Sequence, residues 1–254
     1  MTIQAVDRAL DIIGLFANSR PSLSLTQIAS ALELNKSTAY GLIASLEQKG
    51  FLKKNPETKH YRLGISVYEL GIAFSSSLEI NRMAVGPAQA LAEKTQQTPR
   101  VAIMEGDFAF VTLFALPGAQ TNIASQVGPR LPLYCTAMGK ALLAFQEFDF
   151  IEHYLNRTKL VRHTEHTITD PDRLRKELAD IVQNGYSVSR GEFVNGQCGI
   201  AVPIRGYESK LAGGLAISGR DPNLLGKKMN WYIEETLSTA RDISISMGYS
   251  PLRS

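Results

Sequence analysis

The chain has 254 residues, 44% of them hydrophobic and 20% charged, an ordinary globular balance with room for two domains. No apolar run approaches the roughly 18 residues of a membrane helix, and the N-terminus lacks a secretory signal pattern, so a cytoplasmic protein is expected. Two cysteines, Cys135 and Cys198, make no disulfide framework, and the net charge of +3 lies within residues 1–63, where eight Lys and Arg outnumber five Asp and Glu. That excess points to an anionic partner for the first quarter of the chain.

Ala5, Val6, Ala9, Leu10, Ile12, Ile13 and Phe16 recur at helical spacing through residues 4–17, and Arg20-Pro21 closes that helix. Ser24-Leu25-Thr26-Gln27 has the form of a capping box, opening a short helix with Ile28, Ala29 and Leu32 on one face. Glu33-Leu34-Asn35 makes a tight connection, and Asn35 can cap the helix that follows from Lys36 to Lys49. Ala39, Leu42, Ile43 and Leu46 form its inward stripe, and Gly50 stops it. A short helix, a three-residue turn and a longer helix make a helix-turn-helix. Lys36, Ser37, Thr38 and Tyr40 face outward at the start of the second helix, where hydroxyls, a cation and free amides suit phosphates and base edges.

Phe51–Lys54 and Lys59–Leu63 read as short strands around Asn55-Pro56-Glu57-Thr58, a turn-rich tetrapeptide. The hairpin carries Lys53, Lys54, Lys59 and Arg62, the make-up of a wing that tracks a DNA backbone. The competing reading of this region is a helical interaction module with no DNA role.

With Leu25-Thr26-Gln27-Ile28-Ala29, Asn35-Lys36-Ser37-Thr38-Ala39-Tyr40 and Tyr61-Arg62-Leu63-Gly64 on the page, the chain resembles the IclR family of transcriptional regulators over nearly its whole length. Many members carry Arg where this chain has Gly41, which removes a candidate DNA contact. The resemblance implies a winged helix-turn-helix DNA-binding domain at 1–63, a linker helix at 64–79 and an effector-binding domain at 80–254. It also implies an α+β chain overall, its second domain a GAF/PAS-like α/β sensor with an antiparallel sheet. The implied partners are double-stranded DNA carrying a palindromic operator, a small organic acid, and a second copy of the chain in a homodimer or dimer of dimers.

Val67, Leu70 and Phe74 keep helical spacing through the linker, and a second helix is expected from about Ile80 to Thr95. Val101–Glu105 and Phe108–Leu116 are strand-like around Gly106-Asp107. The segment from Gly128 to Ala144, with Leu131-Pro132-Leu133-Tyr134-Cys135-Thr136-Ala137-Met138-Gly139, resembles the family's effector loop leading into a helix, and a helix N-terminus is an anion site. Further along, Asp170-Pro171-Asp172 leads into a helix from about Leu174 to Gln183, closed by Asn184-Gly185. Strand patterns follow at Val188–Glu192, Gly199–Ile204 and Gly213–Gly219, and a last helix from about Pro222 to Met247.

By motif, the resemblance places Leu131, Ala137, Met138, Gly199, Ala216 and Ser218 at the effector. It departs from the family pattern where Gly199 replaces a frequent Cys, Ala216 replaces a Ser, and an acidic position falls on or near Val188. Ser218 is then the one clear polar side chain, and the expected ligand is a bulkier carboxylate, aromatic acids included. His163 and His166 flank Glu165, but no third ligand stands at diagnostic spacing, and neither they nor His153 suggest a metal. No residue order supports a catalytic triad, so no enzyme activity and no cofactor are expected. The alternatives are a redox-responsive regulator using Cys135 and Cys198, or a small cysteine enzyme with one of those histidines as base.

Overall fold

The N-terminal fold is built from elements too short to be stable alone, so caps and one small core decide it. The structure is a computed structural model that describes residues 2–17, 21–118, 130–220 and 224–250. The chain divides into two units, Met1–Phe74 and Ser75–Ser254.

In the first unit, α1 (Gln4–Gly14), α2 (Leu25–Ala31) and α3 (Lys36–Gln48) enclose Ile12, Phe16, Ile28 and Ile43. The α1 helix ends three residues before the expected 17, and Arg20 of the expected stop lies outside the described residues. The capping box is formed: Gln27 N donates to Ser24 Oγ at 3.2 Å and Ser24 N donates to Gln27 Oε1 at 2.8 Å. Asn35 Oδ1 accepts from Thr38 N at 2.8 Å, and such caps contribute about 1 kcal/mol each. Gly50 takes φ +75°, the left-handed geometry of a helix stop.

The hairpin pairs β1 (Leu52–Lys54) with β2 (Tyr61–Leu63). Leu23 joins it through a bridge to Tyr61, with backbone bonds of 3.0 and 2.8 Å, so the segment before α2 is tied to the wing. The long helix α4 (Ile65–Ser77) follows, and its Ser66 hydroxyl donates to Lys49 O at 3.1 Å.

The second unit starts from α5 (Glu79–Thr95) and a six-stranded antiparallel sheet. Its strands are β3 (Thr98–Glu105), β4 (Phe108–Phe114), β5 (Arg130–Pro132), β6 (Ser187–Arg190), β7 (Cys198–Arg205) and β8 (Leu211–Gly219). Their order is β5-β4-β3-β8-β7-β6, so the last strand in sequence sits at the centre against β3. Alternation sorts the side chains. Ala102, Val111, Ala201 and Ala216 lie under α6 (Ala137–Ala144), α7 (Phe148–Arg157) and α8 (Pro171–Asn184). Val101, Leu113, Ile200 and Leu215 face α5 and α9 (Met229–Ser246).

Three differences from the sequence reading stand out. Part of the segment expected as loop, Arg130–Pro132, is a strand, while Gly128 and Pro129 lie outside the described residues. Helix α7 has no counterpart in the sequence analysis. Helix α9 begins at Met229 rather than near Pro222, which is also outside the described residues. Gly139 has a clear packing reason: a Cβ there would lie 2.3 Å from Pro132 O and 2.6 Å from Leu133 Cα. Only Gly lets α6 fold back so closely on the strand that leads into it.

Candidate functional site

Two surfaces carry the candidate residues, one in each unit. On α3, the inward Ala39 and Ile43 are buried, and this turns Lys36, Ser37 and Tyr40 to solvent, with Thr38 half-buried. Tyr40 is 57% exposed, a large apolar ring with no burial to account for it. The Ser37 hydroxyl donates to Asn35 Oδ1 at 2.8 Å, so part of its bonding capacity already serves the cap.

On the wing, Lys53, Lys59 and Arg62 are exposed, while Lys54 lies over the Tyr61 ring at 5.4 Å from its centroid. Lys53 and Arg62 are direct cross-strand partners. Like charges opposite each other on a ladder repel, and a polyanion alongside relieves that repulsion. At the tip, Asn55 Oδ1 accepts from Glu57 N at 2.8 Å and Thr58 N at 3.0 Å, and Lys59 takes φ +59°. The turn therefore holds Lys59 at the far end of the hairpin.

In the second unit a cavity of about 480 Å³ opens between the sheet and the start of α6. All six sequence-expected residues, Leu131, Ala137, Met138, Gly199, Ala216 and Ser218, line it. They come from β5, α6, β7 and β8, so only the folded chain brings them together. The Thr136 hydroxyl caps α6 by accepting from Gly139 N at 2.9 Å and donates to Pro132 O at 3.0 Å. Ala137 and Met138 precede Gly139 in the first turn, where amides have no intrahelical acceptor.

The expectation that Ser218 is the one clear polar side chain is incorrect. Arg100, Thr136, Ser189 and Gln197 also line the cavity. Arg100 was missed because its partners are remote in sequence: β3 pairs with β8 so that Arg100 lies opposite Ala216 and Thr98 opposite Ser218. Arg100 Nη1 donates to Ser218 Oγ at 2.5 Å and reaches Thr98 O at 3.5 Å. No carboxylate forms an ion pair with it among the described residues. Burial pulls the guanidinium's pKa below its ordinary value. The acidic position expected near Val188 is likewise replaced. Val188 packs toward the α5 and α9 side, and by strand alternation Ser189 faces the cavity.

The loop 191–197 closes one wall with Phe193 and Val194. The Phe193 ring meets His163 edge-on at 4.9 Å, and Thr167 Oγ1 donates to Glu192 O at 2.6 Å. Behind the wall, Lys140 Nζ bonds Glu192 Oε1 at 2.8 Å, Glu177 Oε1 at 2.7 Å and Val188 O at 2.9 Å.

His163 is thus a packing partner, with its Nε2 3.0 Å from the Tyr134 hydroxyl, and His166 pairs with Glu165 at 3.6 Å on the surface. Among the described residues no group of three His, Cys, Asp or Glu is placed to hold a metal. Cys135 is fully buried, and burial pushes its thiol up to about 12, which disfavours the reactive thiolate. Cys198 lines the cavity, next to Gly199.

A helix-turn-helix with a basic hairpin, followed by a separate sheet-and-helix unit that holds a ligand-sized cavity, is the architecture of a DNA-binding transcriptional regulator. The family model for the C-terminal part of IclR bacterial transcriptional regulators matches residues 72–245, and that for the IclR helix-turn-helix domain matches residues 5–56. The chain belongs to the IclR family of DNA-binding transcriptional regulators.

It is similar to the HTH-type transcriptional regulator XynR of Escherichia coli strain K12, with 30% identity over 248 residues, covering 97% of this chain and 98% of that protein. Among solved structures it is similar to Thermotoga maritima IclR, with TM-score 0.79, 26% identity and coverage of 98% of this chain and 100% of that one. An IclR homolog of Microbacterium hydrocarbonoxydans, solved in complex with 4-hydroxybenzoate, shares the fold with TM-score 0.84 at 23% identity, covering 97% of this chain and 100% of that one. Among the described residues no helix is long and apolar enough to cross a membrane.

Proposed function

We propose that this regulator binds a palindromic operator as a dimer, and that a small organic acid held between α6 and the sheet sets its affinity for that operator. Residues 1–63 read DNA, 64–79 link, and 80–254 sense. Lys36, Ser37, Thr38 and Tyr40 meet the major groove, while Lys53, Lys59 and Arg62 meet the backbone.

The observation that carries the sensing part is the convergence of Leu131, Ala137, Met138, Gly199, Ala216 and Ser218 on one cavity. Its size falls in the range of about 300–1,000 Å³ typical of small-molecule sites. The opening turn of α6 adds amides and a positive dipole end that favour an anion. The Microbacterium relative, solved with an aromatic carboxylate, is a precedent in the same fold. Ligand must favour one DNA-competence state over the other, because equal affinity for both shifts nothing.

Dimerisation is supported by α4, whose Ile65, Tyr68, Leu70, Ile72 and Phe74 are each more than 40% exposed. One recognition helix reads only a few base pairs, and pairing two gives useful specificity.

The test begins with a duplex selected for tight binding from a random pool. Operator affinity is then measured with increasing concentrations of small organic acids. A change in affinity that saturates with ligand, and that Met138→Pro removes while the protein stays folded, supports the reading. Pro deletes the amide at that position. Unchanged response in the Pro variant places the ligand elsewhere.

A further inference from the structure

A cationic side chain in an apolar cavity is costly unless an anion answers it, and among the described residues none pairs with Arg100. Its one short contact is the neutral hydroxyl of Ser218, at 2.5 Å. The remaining guanidinium donors have fixed directions and a planar array that matches a carboxylate, while a hydroxyl occupies only one of them. Among the described residues of the cavity wall Arg100 is also the single charged one; the other polar residues there, Thr136, Ser189, Gln197 and Ser218, carry no formal charge. The same cavity is lined by the apolar side chains of Val111, Leu131, Met138 and Phe193.

From this asymmetry, and resting on the sensing role proposed above, we infer that Arg100 is the residue that selects the ligand's charge, with Ser218 presenting it, and that the ligand is an aromatic monocarboxylate. One cation matches one carboxylate. A second carboxylate would find no second charged side chain among the described residues of the wall, and burying it without one is costly. A two- or three-carbon acid would satisfy Arg100 but leave most of the 480 Å³ unfilled. Phe193, in a T-shaped contact with His163, is the aromatic ring among the described residues of the wall that a ligand's ring can meet. The Arg100–Ser218 bond has a purpose in this arrangement: it ties one guanidinium nitrogen to β8, while Nε and Nη2 bond no acceptor among the described residues.

The experiment uses the full-length protein and calorimetric titration with benzoate, 4-hydroxybenzoate and phenylacetate, each against its neutral amide, with succinate and pyruvate as further arms. At least one aromatic acid is expected to bind roughly tenfold to hundredfold more tightly than its amide, the discrimination of one charge-assisted pair. It is also expected to bind more tightly than either succinate or pyruvate. Arg100→Gln should bring acid and amide within about threefold of each other, while Arg100→Lys, which keeps the charge but loses the fork, should restore part of the preference. The acid-to-amide ratio in the unaltered protein needs no variant to fold.

Equal binding of acid and amide overturns the inference. So do an acid preference that survives Arg100→Gln, tighter binding of succinate or pyruvate, or no binding by any of the aromatic acids. Failure of the broader reading looks different. If the acid binds as expected through Arg100 but leaves operator affinity unchanged, the ligand class stands and the switch falls. If a neutral ligand in the cavity shifts operator affinity, the switch stands and the inference about Arg100 falls.

Discussion

The ammonium group of Lys140 lies 2.8 Å from Glu192 Oε1, with side-chain exposures of 1% and 8%. Lys140 stands on α6 two residues past Met138, and Glu192 precedes Phe193, so the pair joins two walls of the cavity from behind. Glu177 and the Val188 carbonyl complete the set around the ammonium. Lys140→Met removes the partner of a buried carboxylate, one of whose oxygens already has no hydrogen bond among the described residues. We expect a loss of about 3–5 kcal/mol in urea unfolding, and much of it should return when Glu192→Leu is added. A loss under 1 kcal/mol would mean that water reaches the pair.

The recognition helix and the wing should separate by what they sense. Tyr40→Ala and Thr38→Ala should each weaken the selected operator by roughly 1–3 kcal/mol and leave nonspecific DNA nearly untouched. Lys59→Ala should weaken every duplex alike and lower the slope of log affinity against log salt by about one. Unchanged operator affinity in Tyr40→Ala would show that this face of α3 does not read bases.

Gly41 is exposed within α3, and a Cβ there meets nothing within 4 Å. Gly41→Ala should therefore stabilise the N-terminal unit by about 1 kcal/mol. Gly41→Arg should also raise affinity for DNA of any sequence. A destabilised Gly41→Ala, seen by thermal melting, would mean that the helix there is not as described.

Alkaline pH should weaken the second unit. Burial holds the Cys135 thiol and, joined by the neighbouring Cys135, the Tyr134 phenol up to about 12, so both stay protonated in the folded chain where the unfolded chain ionises. The folded state then binds more protons than the unfolded one, and stability falls as pH rises from the ordinary thiol and phenol range of about 8.5–10 toward 12. Urea midpoints at pH 7 and pH 10.5 check this, and Cys135→Ala should reduce the drop. Equal midpoints would refute the burial argument.

Local signals were legible and pairing was not. Ser24, Gln27, Asn35 and Gly50 announce their helix ends because capping is settled within four residues. The six residues taken from the motif resemblance line one cavity, from four elements far apart in sequence. Arg100 was invisible because its meaning depends on Ser218, 118 residues away across the β3–β8 ladder. Helix α7 was missed although its Phe148, Ile151, Tyr154 and Leu155 recur at helical spacing. His153, the residue of that segment with metal or base chemistry, carries no periodicity by itself. Val188 shows the cost of a one-residue offset on a strand, since its neighbour Ser189 points to the opposite face.

The central claim is that filling the α6–sheet cavity changes the grip on DNA. The direct measurement is fluorescence anisotropy of a labelled operator duplex, titrated with protein in the absence and in the saturating presence of the tightest-binding aromatic acid. A coupling of roughly 1–3 kcal/mol, a shift of about 5- to 150-fold in operator affinity, is predicted in the unaltered protein, with the shift lost in Arg100→Gln at the same acid concentration. Superimposable titrations, with calorimetry showing the cavity occupied, would contradict it.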